Sequence, residues 1–169
     1  MVIVLYFFLE PKIPIYNVEN LDVKNFDLRK DDKLHSDIDV FVKAENPNQE
    51  IGLDYLENEV SIIYSGSIIC KGKFPIFLQP VKNITNFNVT LKGDSDFGPE
   101  MQSRLIIEQK LGHIPLLVVV KLPIRLVISD FFHLRKFVVN VNCSLVIDQL
   151  QHNKRPKILK KEFTYDVHL

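Results

Sequence analysis

Between Leu34 and Ala44 the chain alternates with period two. Leu34, Ser36, Ile38, Val40, Val42 and Ala44 take one parity, His35, Asp37, Asp39 and Lys43 take the other, and only Phe41 is out of step. Successive strand side chains point to opposite faces, so this pattern demands a β-strand with one buried and one wet face. It stops at Asn46-Pro47-Asn48. A proline without an N–H and two turn-prone asparagines cannot extend a sheet ladder. The role expected of Asn46, Pro47 and Asn48 is therefore structural, with proline fixing one dihedral and the amides closing the turn.

Apolar runs rich in β-branched residues predict further strands over 15–28, 59–64, 67–74, 83–91, 114–128, 136–147 and 160–167. Tyr64-Ser65-Gly66-Ser67 reads as a hairpin turn. Residues 114–120 are apolar on both parities, which predicts a central strand covered on both faces; Lys121, Pro123 and Arg125 interrupt the run far short of membrane-spanning length. One stretch departs from the pattern. Residues 100–111 hold helix formers, begin with Glu100 and are followed by Gly112, the signals of a short capped helix. About eight strands in one chain of this length is the density of a sandwich or barrel, so the expected fold class is all-β with one short helix.

The chain has 169 residues, 46% of them hydrophobic, enough for a single domain to bury a core without disulfides or metals. Lys plus Arg is 21 and Asp plus Glu is 21, so the broad attraction that non-specific nucleic-acid binding requires is missing. Cys70 and Cys143 each sit in an apolar run and form no CxxC pair. They read as two buried small hydrophobes, with a disulfide as the alternative. His35, His113, His133, His152 and His168 are scattered without metal-ligand spacing. Gly93-Asp94-Ser95-Asp96-Phe97-Gly98 holds part of a calcium-loop pattern without its terminal Glu, and reads as a solvated loop. No P-loop, GxGxxG or GxSxG is present. No catalytic, cofactor-binding or metal-binding residue is assigned, and the expectation is a protein that is not an enzyme.

Two surface features remain. Lys154-Arg155-Pro156-Lys157 with Lys160-Lys161 is the one basic cluster, read as a lysine-guarded edge strand, with contact to anionic lipid as the alternative. Asn83, Asn88 and Asn142 head N-x-[ST] sequons and are candidate N-glycosylation sites. Asn83 and Asn88 differ in strand parity, so both face solvent only if a bulge separates them.

Residues 1–9, Met-Val-Ile-Val-Leu-Tyr-Phe-Phe-Leu, are continuously apolar. As a helix they would span about 14 Å, under half of the roughly 30 Å hydrocarbon core. Two readings stay open on composition: the last turns of a transmembrane helix, or a hydrophobic first strand.

Pro11-Lys12-Ile13-Pro14-Ile15-Tyr16 after that stretch, Ala44-Glu45-Asn46-Pro47-Asn48, and Ile51-Gly52-Leu53-Asp54-Tyr55 together resemble a plant family. It comprises the late-embryogenesis-abundant proteins of the second, hydrophobic class (the LEA-2 domain) and their harpin-induced-like and disease-resistance-like relatives. The likeness continues through Val60 to Gly66, Gly72 to Gln79 and Val139 to Val146, and covers nearly all of the chain from Pro11 onward. It implies an immunoglobulin- or fibronectin-III-like β-sandwich over 11–169, displayed by a transmembrane anchor whose remnant is 1–10. It further implies a role in defence and abiotic stress, with no enzymatic activity and no cofactor. The expected partners are the membrane, through the anchor, and a protein, wall component or lipid; no nucleic acid is expected. The domain would face the apoplast or an endomembrane lumen. The alternative is a soluble intracellular protein that protects against desiccation, or a lipid-binding sandwich with a cavity between its sheets.

Overall fold

Leu34, Ser36, Ile38, Val40, Val42 and Ala44 are all buried, on the inner face of strand β2 (Lys33–Glu45). Burying a large aliphatic side chain is worth roughly 1.5–3 kcal/mol, and a one-residue slip would turn the whole set outward. The computed structural model describes residues 12–128 and 132–168, with the backbone alone for 132–135. The anchor remnant expected at 1–10 lies outside the described residues. Among those described, no helix is long and apolar enough to cross a membrane.

The other elements are β1 (Ile15–Leu28), β3 (Ile51–Tyr55), β4 (Glu59–Tyr64), β5 (Ser67–Gly72), β6 (Phe77–Gln79), β7 (Ile84–Asp96), helix α1 (Pro99–Leu111), β8 (Ile114–Ile128), β9 (Phe132–Ile147) and β10 (Ile158–His168). Among the described residues the fold is all-β with one short helix, as expected, but two short strands, β3 and β6, were not legible as such. Every strand belongs to one hydrogen-bonded antiparallel sheet in the order β1-β2-β7-β5-β4-β8-β3-β6, with β9 and β10 following on the other side of β8. Long β8 carries β9 along one edge; on the other it pairs first with β4 over 117–121 and then with β3 over 124–128.

The sheet curls around a single core, and a sharp crossing lets it do so. β5 meets β7 through one register pair, Lys71 with Lys92. There the backbones come so close that a Cβ on Gly93 would lie 2.1 Å from the Ile69 carbonyl oxygen, and one on Gly72 would lie 2.3 Å from that of Thr90. The Ser36 hydroxyl donates to the Ile69 carbonyl at 2.7 Å beside the same crossing. Gly93-Asp94-Ser95-Asp96 is thus the end of β7, paired with residues 33–36 of β2, and not the solvated loop expected. Among the described residues no His, Cys, Asp and Glu group is arranged to hold a metal.

The curl brings edge strands β1 and β10 face to face. A backbone bridge joins Val23 to Lys154. Further along, side chains replace the ladder: the Lys161 ammonium donates to the Val18 carbonyl at 3.1 Å, and the Tyr165 hydroxyl accepts from the Tyr16 N–H at 3.2 Å. Both edges carry bulges at this seam, at Glu19 in β1 and Leu159 in β10, which bend an edge out of reach of a continuous ladder. β8 corrects a second expectation. Its even-numbered residues from Ile114 to Leu126 are buried, whereas Leu117 and Val119 are only half-buried, so one face is covered fully and the other in part.

Helix α1 closes the end of the molecule where β7 finishes. Pro99 opens it and Gly112, at φ 66°, ends it, with the Gly112 and His113 N–H groups returning to the Gln109 and Glu108 carbonyls. Met101 and Leu105 pack against the core, while Ile106, Ile107 and Leu111 stay exposed. Gly66, at φ 80°, supplies the tight β4–β5 turn that the sequence predicts.

Gly93→Ala is expected to destabilise the domain by about 1–3 kcal/mol, because the new methyl meets backbone that cannot rotate away. Gly98→Ala, at φ −73° with nothing within 4 Å, should cost less than about 1 kcal/mol, because the stiffer unfolded chain offsets much of the loss of a favoured helix-capping residue. Urea-denaturation midpoints of the two variants check this, and equal midpoints would refute the crossing as a constraint.

Candidate functional site

At the end of the sheet opposite α1, the residues that terminate β2 build a buried amide hub. Asn46 is fully buried and Asn48 is 4% exposed, so each polar atom needs a partner inside the protein. Asn46 finds all of its partners. Its Nδ2 donates to the Ile51 carbonyl at 2.9 Å and to the Pro80 carbonyl at 3.0 Å, and its Oδ1 accepts from the Asn48 N–H and Nδ2. One side chain therefore ties the end of β2 to the start of β3 and to the residue that follows β6.

Asn48 turns outward from Asn46 and grips the incoming chain. Its Oδ1 accepts from the Lys12 N–H at 2.6 Å and its Nδ2 donates to the Lys12 carbonyl at 2.9 Å, so a side-chain amide replaces a strand partner for Lys12. Pro47 between them restricts the backbone so that the two asparagines face different partners. On the far side, the Lys82 N–H donates to the Asn48 carbonyl and the Asn46 N–H to the Asn83 carbonyl.

A second relay runs through the same end. The Tyr16 hydroxyl donates to that of Tyr55 at 3.1 Å, and Tyr55 donates to Gln79 Oε1 at 2.6 Å. Gln79 Nε2 donates in turn to the Ala44 and Asn83 carbonyls. Burial holds Tyr16 well above its ordinary range, with the neighbouring Tyr55 adding to the effect, and burial pushes Tyr55 up to about 12. Both phenols stay neutral, as donors in a chain of hydrogen bonds. The thiols are equally quiet: Cys70 and Cys143 are free and buried, and burial pushes them up to about 12 and about 11. This chemistry fastens and orients.

Of the residues singled out from the sequence, Asn46, Asn48 and Asn83 come together here. Asn83 is half-buried in the turn before β7, where its Oδ1 accepts from the Thr85 hydroxyl. Asn88 on β7 and Asn142 on β9 are exposed on outer faces. The parity conflict between Asn83 and Asn88 is thus resolved by turning Asn83 inward. Lys12, Tyr16, Tyr55 and Gln79 were not assigned roles, although all four lie in the runs that carry the family resemblance. A lone glutamine between Leu78 and Pro80 gives no sign of being buried.

Two open clefts lie elsewhere. One, of about 700 Å³, sits at the β1–β10 seam and brings Arg155, Lys157, Lys160 and Lys161 beside Glu19 and Asp148. Arg155 also pairs with Asp22 at 3.7 Å and lies 5.5 Å over the Phe41 ring, which explains the apolar residue on the wet face of β2. The other, of about 620 Å³, is crossed by the ion pairs Lys73–Glu57 and Lys71–Glu59. Inside the core, the space lined by Tyr16, Phe74, Cys143 and Phe163 among other apolar side chains amounts to only about 20 Å³.

No family model matches the chain. Over 159 residues it is 30% identical to NDR1/HIN1-like protein 6 of Arabidopsis thaliana, in an alignment covering 92% of this chain and 62% of that protein. The chain therefore spans less than two-thirds of the relative's length. Among solved structures, a protein from Archaeoglobus fulgidus aligns over 89% of this chain and 95% of that one at 10% identity and a TM-score of 0.38, too low to carry an argument.

An unfolded tyrosine ionises near pH 10, at about the ordinary value for the residue. Tyr55 holds its proton until about 12, so over that window the unfolded state binds fewer protons and stability falls as pH rises; below it the contribution is fully present. In an alkaline titration followed by phenolate absorbance, Tyr16, Tyr55 and Tyr64, all raised by burial, should ionise only as the fold is lost. Tyr55→Phe should remove one late phenol and cost roughly 1–3 kcal/mol by leaving the Gln79 carbonyl unpaired. Ionisation of all tyrosines in one step near pH 10, with native circular dichroism, would refute the relay.

Proposed function

The chain belongs among the harpin-induced, NDR1-like proteins, and from that premise we propose that it is a non-enzymatic interaction module of plant defence and stress responses, displayed on a membrane. The observation that carries this reading is the grip of Asn48 on Lys12. The apolar residues 1–9 precede that grip by two residues, Glu10 and Pro11. A domain fastened at that point takes its orientation from whatever holds the apolar segment. The sandwich implied by the resemblance belongs to the proposal: β1, β2 and β7 would form one layer and the strands around β8 the other, joined at the tight β5–β7 crossing. The domain would face the apoplast or an endomembrane lumen, and exposed Asn88 and Asn142 would accept glycans there.

The filled interior decides how a partner would be met. Ligand pockets enclose roughly 300–1,000 Å³, far more than the 20 Å³ between the curled halves of this sheet. That favours contacts made by the outer surface and its two clefts over a lipid held inside. The intracellular protective reading has one observation in its favour, the two free buried thiols, which suit a reducing compartment.

Expression in plant cells, fractionation and treatment with a deglycosylating enzyme separate the two. The proposal expects the protein in the membrane pellet, with a mass loss that Asn88→Gln and Asn142→Gln each reduce and Asn83→Gln leaves unchanged. A soluble protein without a mass change would overturn it in favour of the intracellular reading.

A further inference from the structure

The hub end of the domain is ringed by exposed aliphatic residues, and their placement has a single geometric origin. Ile15, Glu45 and Ile84 are successive register partners on β1, β2 and β7, which sets Ile15 and Ile84 on either side of Glu45, about 10 Å apart. Ile13 follows the gripped Lys12, and Val81 precedes Lys82, whose N–H is bonded to Asn48. Ile13 is 48% exposed, Ile15 51%, Val81 41% and Ile84 51%. Single exposed aliphatics are common on soluble proteins, but a group of them around one feature marks a contact surface. Exposed Lys12 and Lys82 stand beside the group.

We propose that this end of the domain, through Ile13, Ile15, Val81 and Ile84, rests in the headgroup layer of a lipid bilayer. The inference builds on the anchoring reading above and specifies how the anchored domain sits. Chain length carries it. Lys12 is held to the domain by two hydrogen bonds to Asn48. Between it and the apolar residues 1–9 lie only Glu10 and Pro11, and each residue reaches at most about 3.6 Å. If residues 1–9 enter the hydrocarbon, Lys12 cannot stand more than roughly 11 Å from it, which puts this end of the domain in or directly against a headgroup layer about 5–8 Å deep on each side. The aliphatic ring is at that level, and the lysine ammoniums are placed to meet lipid phosphates. Helix α1, with exposed Ile106, lies at the other end of β7, roughly 40 Å away along the strand, and stays in water.

The chain contains no tryptophan, so a single introduced Trp reports its own surroundings. The full chain carrying Val81→Trp, Ile84→Trp or Ile106→Trp, each checked by circular dichroism, is mixed with phosphatidylcholine vesicles bearing brominated acyl chains. Co-flotation reports anchoring, and quenching reports depth. The inference expects all three to float, with the first two blue-shifted and quenched and Ile106→Trp unaffected. Flotation with Val81→Trp and Ile84→Trp unquenched would overturn the inference and leave anchoring intact. Equal quenching at all three sites would overturn it as unspecific adsorption. Emission already blue-shifted without lipid, and unchanged by it, would overturn the inference, because the ring would then be covered by the chain itself. Failure to float would overturn the anchoring reading and this inference together.

Discussion

An amide buried in a protein interior must have its donors and acceptors paired, and the end of this molecule is organised by that requirement. Asn46 makes four such bonds, with the start of β3, with Pro80 just after β6 and with Asn48. Removing it would strand several backbone groups at once, each at a cost of about 1–3 kcal/mol. Three segments, the incoming chain at Lys12 and the β2–β3 and β6–β7 connections, are held at one point. The Tyr16–Tyr55–Gln79 relay adds a second set of ties between β1, β3, β6 and the β2 end. Low dielectric strengthens these bonds, and it is equally why the phenols remain protonated.

The rest of the architecture brings the β1 and β10 edges of a single sheet together. Gly72 and Gly93 allow β5 to cross β7 at a distance no side chain would permit, and the resulting curl carries β1 round to β10. The edges do not zip together, because Glu19 and Leu159 bulge at the point of approach. Lys161 and Tyr165 occupy the unpaired carbonyl and amide positions instead. The seam is left open enough to form a cleft of about 700 Å³, where Arg155, Lys157, Lys160 and Lys161 stand beside Glu19 and Asp148. Fold closure and this charged cleft thus have one cause.

Much of this was legible from residues alone. The alternation in β2, the limits of β1, β4 and β8, the Ser65-Gly66 turn and the Gly112 helix stop all follow from local rules, because each depends on neighbours in sequence. β3 and β6, at five and three residues, escaped because they exist only through partners far along the chain, Ile124 to Ile128 for β3 and Leu53 to Tyr55 for β6. Asp94 and Asp96 looked like loop residues for the same reason; Lys33 and His35 across the ladder pair with them and make a strand of that stretch. At the site, Asn46-Pro47-Asn48 was visible as a stop to β2. Its grip on Lys12, 36 residues away, was not, since no local pattern records which backbone an amide will meet. Gln79 and Tyr55 were invisible as polar core residues because their pairing is equally distant.

The two bonds by which Asn48 holds Lys12 fix where the chain that follows the apolar residues 1–9 is fastened to the domain. Native-state hydrogen exchange at the Lys12 amide measures this fastening directly. The predicted result is protection in the native chain approaching that of β2 amides, abolished by Asn48→Ala while the Val40 amide keeps its protection. Exchange of Lys12 at the rate of an unstructured residue in the native chain, or protection untouched by the substitution, would contradict the account.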